Sequence, residues 1–336
     1  MNDFGVIIGC CKRDYLFAKG TIASVRHFLG DVPICLLVDG TFPTDDMNKA
    51  YGVQTLYRAD VKDDFLRSRS FGWGLTKMVC FWESPFERFL WLDADTSVWG
   101  DIRKKLFQQG NWDIYTDKSD GSFSREDVTE WFFDVDKLEQ RYPGFNWQRY
   151  AGSNYCTGIW ASRRGVFPLQ EYKDVLNVVD EDPSLFKCAE MGLLNFMIFR
   201  AMEEGRAKVA SGAVQVIVHD FTLEELDHRY NVSHGEPVEV SDDPVVLHYT
   251  IPKPVISEGP VVRPMTYFRR LAMKEGNGIS GLRAELHLRL EDLCWKFPLT
   301  LNSIHTSIRC HGAAPIRAIL SSIGSSSVLP TASAGR

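Results

Sequence analysis

Asp93 and Asp95 stand one residue apart at the end of an apolar run, Phe89-Leu90-Trp91-Leu92, and Thr96 follows them. Two carboxylates so spaced can hold a hard divalent cation, directly or through water, and leave other coordination positions to phosphate oxygens. The apolar approach reads as a buried strand, and open parallel sheets collect ligands at the carboxyl ends of their strands. A pair of acids in an ordinary turn is the plainer reading of an isolated D-x-D. The buried run leading to this pair, and its place at a strand end, favour a site.

Such a strand end needs a sheet around it, and the first half of the chain supplies the pattern. Residues 4–9, 33–39, 53–57, 88–93 and 112–117 read as strands, with helical patterns at 17–29 and 75–82 between them. Leu75, Met78, Val79 and Trp82 share one face of the second helix. This β-α-β rhythm predicts an α/β fold with a Rossmann-like, mostly parallel sheet flanked by helices. Residues 118–150 are charged and aromatic with little strand character, and are expected to form a variable excursion over the sheet. Strands follow at 155–162, 213–220 and 244–251, with a helix at 190–204. The domain expectation is a catalytic unit over 1–255, divided near 117, a helical C-terminal extension over 256–320, and a disordered tail over 321–336.

Composition excludes several classes of function. With 336 residues, 44% of them hydrophobic, the chain is ordinary globular protein. A net charge of −6 argues against nucleic acid as partner. No stretch reaches the ~18 consecutive apolar residues of a membrane span, and the N-terminus has no basic signal-peptide region. The eight cysteines include no C-x-x-C pair, so reduced thiols in a cytoplasmic protein are expected. The helix predicted at 281–297 balances its charges, and its leucine face is expected to pack on the catalytic unit. Beyond it, the acid-free stretch with Ile304, Ile308, Ile316, Ile319 and Leu320 is expected to give at most weak peripheral contact with the inner membrane face.

Two enzyme classes end a strand in this way. Haloacid-dehalogenase-type phosphatases use hhhh-D-x-D-x-T, with a nucleophilic aspartate and Mg2+, and nucleotide-sugar transferases of the GT-A type use D-x-D to hold Mn2+ or Mg2+ against a diphosphate. Residues 89–98 satisfy both patterns. The phosphatase motif normally opens its core, whereas three strands precede it here, and the acidic pair Asp242-Asp243 lies before a strand rather than after one. The transferase reading is therefore preferred.

The order of landmarks also resembles glycosyltransferase family 8, of the glycogenin and bacterial lipopolysaccharide galactosyltransferase type. Residues 75–107, opening on Leu75-Thr76-Lys77 and Cys80 and running through Asp93-Ala94-Asp95-Thr96, resemble that family's central motif. Ala18-Lys19-Gly20, Glu190-Met191-Gly192-Leu193-Leu194-Asn195 and Leu247-His248-Tyr249-Thr250-Ile251-Pro252-Lys253-Pro254 resemble three further family stretches in the right order. The resemblance covers residues 4 to 254. It implies a GT-A fold and a UDP-hexose donor. It also implies Asp93, Asp95 and His248 as metal ligands, the histidine favouring Mn2+ with Mg2+ as the alternative ion. Lys253 and Lys77 would face the diphosphate and donor, and Asp93, Thr157 and Gly158 would also contact the substrate. Tyr15 or Phe17, just after the first strand, would stack on the base. Glu190 would be the catalytic or sugar-orienting carboxylate.

The chain departs from the family pattern on the sugar side. Met191 replaces a glutamine, and a thioether cannot donate a hydrogen bond as an amide can. Cys156 replaces an asparagine, with Asn154 two residues earlier as the compensating amide. The expectation is a metal-dependent hexosyltransferase acting on a glycan, lipid-linked or protein acceptor, with retention. A phosphatase and a catalytically weak nucleotide-sugar-binding relative are the alternatives.

Overall fold

The structure is a computed structural model that describes residues 2–72, 74–118, 121–238 and 242–297. Its frame is a seven-stranded sheet in the order β3-β2-β1-β4-β7-β6-β8. The strands are β1 Asn2–Cys11, β2 Ile34–Asp39, β3 Gln54–Tyr57, β4 Phe86–Asp93, β6 Ile114–Asp117, β7 Ile159–Arg163 and β8 Val209–Gly212. β1, β2, β3 and β4 run parallel, as do β6 and β8. The expected mostly parallel α/β sheet is present. β7 departs from it, running antiparallel to both β4 and β6. A second, three-stranded sheet contains β5 Thr96–Trp99, β9 Gln215–Ile217 and β10 Val245–His248, in the order β5-β10-β9.

The strands are buried because their sequences are continuous apolar runs rather than alternating ones, the signature of a sheet covered on both faces. Val6, Ile7, Ile8, Leu36, Leu37, Val38, Leu90, Trp91 and Leu92 are all within 2% of complete burial. β1 lies between β2 and β4, so the chain moves outward through β2 and β3 and then returns to the opposite flank of β1. That reversal opens the crevice in which open α/β sheets bind ligands, and Asp93 pairs with Gly9 at its mouth.

Several local expectations are corrected. The stretch 75–82 is a 3-10 turn, Leu75–Val79, continued by a short α-turn, Cys80–Glu83. The tighter winding brings Lys77 inward, where it is 6% exposed. The excursion 118–150 contains the helices Arg125–Trp131 and Val135–Arg141, each N-capped by a serine or aspartate side chain. The helix Gly281–Lys296 packs through Ala284 and Leu288 against Met273, while Leu282, Leu286, Leu290, Leu293 and Phe297 are exposed. Within the unit Met1–Arg289 the packed residues of this helix are thus Ala284 and Leu288 rather than Leu282 and Leu286.

The helix Arg263–Asn277 packs closely on the helices α1 (Tyr15–Leu29) and α2 (Asp45–Tyr51), burying Met265, Phe268 and Ala272. The C-terminal region thus contributes core to the unit Met1–Arg289, and the residues from Leu290 onward belong to a second unit. The isoleucine-rich stretch 304–320 and the tail lie outside the described residues. Among the described residues, no helix is long and apolar enough to cross a membrane, and all seven described cysteines are free thiols.

One helix fastens the acidic turn to the frame. The hydroxyl of Thr21 in α1 lies 2.6 Å from the carbonyl oxygens of both Ala94 and Thr96, sharing its single proton between them. Ser24, one turn on, accepts from the backbone N–H of Val98 at 3.0 Å. Thr21 has no exposed surface. A Thr21→Val substitution keeps the shape and removes the donor, and a buried acceptor left without its partner costs about 1–3 kcal/mol. Urea unfolding is expected to show a loss in that range with an unchanged m-value.

Candidate active site and metal centre

Asp93 ends β4 and Asp95 begins the return into β5, so both acids sit at the carboxyl edge of the large sheet. β10 brings His248 opposite Thr96. The backbone N–H of Tyr249 donates to the carbonyl of Asp95, and that of Asp93 to the carbonyl of Gly158, which fixes the turn from both sides. Asp93, Asp95 and His248 then each offer a ligand atom, all within 4.8 Å of one another. Nε2 of His248 lies 3.7 Å from a carboxylate oxygen of Asp95. Gly158 lies under the imidazole: a Cβ there would stand 2.2 Å from the ring carbon Cε1.

The charges around this cluster are paired. Nζ of Lys77 lies 3.1 Å from Asp93 and 2.6 Å from Glu190, and it donates to the carbonyl of Thr157 at 3.1 Å. Burial pulls the Lys77 pKa down, but the two carboxylates outweigh it and raise it overall. Asp93 is pushed up by burial and carried below the usual carboxylate range by Lys77 and His248, helped by a 2.8 Å hydrogen bond from the Trp91 indole. Lys253 forms an ion pair with Asp95. For Lys253, too, burial lowers the pKa and the carboxylate raises it further. Burial holds the His248 pKa below its ordinary value against the pull of Asp95 and Asp93, a direction that favours the neutral imidazole a metal requires.

Glu190 opens the helix Glu190–Glu203, in the place where the N-terminal dipole favours a carboxylate. Besides Lys77 it accepts from the Thr157 hydroxyl at 2.8 Å. Gly74 lies against it, in the left-handed region at φ +80°, and a Cβ there would sit 1.8 Å from a Glu190 oxygen. Ala189, just before the helix, also has positive φ at 57°. Glu190 is thus a buried carboxylate held through one oxygen, Oε1, by Lys77 and Thr157 and confined by Gly74.

The structure thus brings Lys77, Asp93, Asp95, Thr157, Gly158, Glu190, His248 and Lys253 into one crevice. The two aromatic candidates separate. Phe17 has no exposed surface and lies under the Arg269 guanidinium, so it is core. Tyr15 keeps partial exposure, with its hydroxyl donating to Asp46 at 2.5 Å. Asn154 is 1% exposed, and its amide donates to the Tyr150 carbonyl. Met191 packs against the core rather than extending the polar crevice. Sequence reasoning missed Thr21, Trp91 and Gln215. The tryptophan sits two residues before Asp93, a spacing that places both on one face of the strand and so was available as a signal; the other two come from distant elements.

No family model matches the chain, and no curated protein does. Among solved structures it is similar to the galactosyltransferase LgtC, at 11% identity and a TM-score of 0.48, over 85% of this chain and 99% of that one. It is similar to the glycosyltransferase GlyE of Streptococcus pneumoniae TIGR4 at 13% identity and a TM-score of 0.48, and to the bifunctional glycosyltransferase WbbM at 13% and 0.49. The chain spans 63% of the GlyE chain and 52% of the WbbM chain. Likeness at this level is one of general architecture, and the functional reading rests on the side chains of the crevice.

Asp117, which ends β6 beside this crevice, accepts the backbone N–H groups of Val214 and Gln215, both at 2.9 Å. Burial pushes its pKa up to about 6. An acid whose folded pKa lies above its unfolded value contributes stability at low pH that is lost as pH rises through the folded pKa. The stability difference between wild type and Asp117→Asn is expected to move against wild type between about pH 4 and pH 6, by up to about 3 kcal/mol. Chemical denaturation across that range measures it, and a pH-independent difference would contradict the assignment.

Proposed function

We propose that this protein is a metal-dependent glycosyltransferase that moves a hexose from a UDP-sugar to a glycan, lipid-linked or protein acceptor, with retention at the sugar. The observation that carries this reading is the convergence of Asp93, Asp95 and His248, with ligand atoms within 4.8 Å of one another, flanked by Lys77 and Lys253. Two carboxylates and one neutral imidazole form a hard set with a borderline nitrogen, which suits Mn2+ and admits Mg2+. The donor set therefore fits a divalent ion. When bound, such an ion supplies Lewis-acid stabilisation to a departing diphosphate.

Charge balance supports a diphosphate at this place. Three carboxylates, Asp93, Asp95 and Glu190, face two ammonium groups, Lys77 and Lys253, so the crevice by itself carries an excess negative charge. A divalent cation reverses that sign, and only then is a polyanion attracted. Lys253 is part exposed and bound to the metal-ligand carboxylate, so it can turn its point charge to a phosphate oxygen. Lys77 is held by three acceptors and fixes the Asp93 and Glu190 carboxylates relative to one another. Glu190 and Thr157 orient the sugar, and Tyr15 is the aromatic surface for the base.

The test is to incubate the full chain with UDP- and GDP-sugars and Mn2+ and to follow nucleotide release. UDP is expected from at least one UDP-hexose, and chelator is expected to abolish its release. Asp93→Asn and Asp95→Asn are each expected to reduce turnover at least about a hundredfold, comparable with losing a principal electrostatic stabiliser. Full turnover in excess chelator would sink the reading. Release of phosphate from simple phosphomonoesters without any nucleotide binding would favour a phosphatase instead.

Lys253→Ala is expected to weaken UDP binding in the presence of Mn2+ by about 10- to 100-fold, the range for a lost hydrogen bond to a charged group. Calorimetry reads this directly. An unchanged dissociation constant would mean that Lys253 stays with Asp95 and never reaches the diphosphate.

A further inference from the structure

His248 presents two ring nitrogens, and only one of them points to the acids. Nε2 is directed toward Asp95. Nδ1, on the other side of the ring, lies 2.9 Å from Oε1 of Gln215. The Gln215 amide is not free to turn over, because its nitrogen donates to the carbonyl of Cys156 at 3.1 Å. That carbonyl can only accept, so the NH2 group must face it and the amide oxygen must face the imidazole. An amide oxygen can only accept in turn, which requires the proton on Nδ1; in the neutral ring Nε2 then keeps its lone pair.

We propose that Gln215 is a positioning residue, which fixes His248 in the Nδ1–H tautomer and aims its bare Nε2 at the ion shared with Asp93 and Asp95. The proposal rests on the metal-site reading for its purpose, though its geometry stands without it. A histidine ligand is commonly held by a partner on its other ring nitrogen, which sets both tautomer and orientation.

Gln215 is itself built in. It opens β9, which runs parallel to β10 and places Gln215 opposite Val246. Its backbone N–H is held by the Asp117 carboxylate at 2.9 Å. The other polar group near Nδ1 is the Cys156 thiol, 3.9 Å away. A thiol is both a weak donor and a weak acceptor, and at that distance it is outweighed by the Gln215 oxygen at 2.9 Å. Gly158 closes the ring's remaining side. The ring is thus boxed by an amide, a thiol and a bare backbone face, and of these only the amide specifies which nitrogen carries the proton.

Two measurements on the full chain test this. In metal-free protein, nitrogen NMR of labelled histidine, with His248 assigned through His248→Gln, reports the tautomer. Wild type is expected to show a protonated Nδ1 and an unprotonated Nε2, Gln215→Glu to keep that pattern, and Gln215→Leu to lose it. Titration with Mn2+ alone, followed by electron paramagnetic resonance, is expected to show affinity about 10- to 100-fold weaker in Gln215→Leu. Gln215→Glu is expected to stay closer to wild type. An Nε2–H tautomer in wild type overturns the proposal, even if no variant folds. So does a Gln215→Leu protein that retains both the tautomer and the Mn2+ affinity. If the tautomer depends on Gln215 while wild type binds no Mn2+, the positioning role is upheld and the metal reading falls.

Discussion

Everything in this crevice follows from keeping carboxylates charged at the edge of a buried sheet. Moving an ionised acid out of water is costly unless it is paired and hydrogen-bonded. The structure meets that cost with Lys77, which joins Asp93 at the end of β4 to Glu190 at the start of a helix nearly a hundred residues later. Removing one partner from a buried pair typically costs about 3–5 kcal/mol, because the remaining charge is stranded. Lys77 therefore couples the two halves of the site from the 3-10 turn Leu75–Val79.

The second constraint is rigidity of the turn between the two aspartates. A D-x-D sequence is too short to hold itself, and the structure surrounds it. Thr21 binds its carbonyls from α1, Tyr249 and Gly158 bind its backbone from opposite sides, and β10 lies antiparallel to β5. The small second sheet exists at this point for a physical reason: it delivers His248 and Gln215 side by side. α1 is in turn wedged by the helix Arg263–Asn277, so part of the C-terminal region acts as backing for the acidic turn.

The sugar side is where this chain is least like the family it resembles. Met191 turns to the core and Cys156 sits beside His248 rather than in open crevice. Glu190 and Thr157, bonded to each other, are the polar groups that remain there. Under the proposed function, few hydrogen-bonding groups would be left to read the sugar, and Glu190, confined by Gly74, is the principal one.

The amino-acid sequence by itself determined the sheet, because its strands are apolar runs long enough to be unambiguous, and it determined the acidic pair, because a buried run ending in D-A-D has few structural uses. It also placed Lys77, Glu190, His248 and Lys253 in the site through ordered resemblance, without saying what they touch. Tertiary structure alone decided the rest. Phe17 and Tyr15 are equivalent aromatics in sequence, and only packing sends one under Arg269 and leaves the other half-buried. Leu282 and Leu286 read as part of a core face, but it is Ala284 and Leu288 that pack against Met273. Gln215 carried no local signal at all. Its role arises from the pairing of β9 with β10 and from a carbonyl 59 residues away in sequence, and such non-local hydrogen-bond geometry is fixed only when the chain has folded.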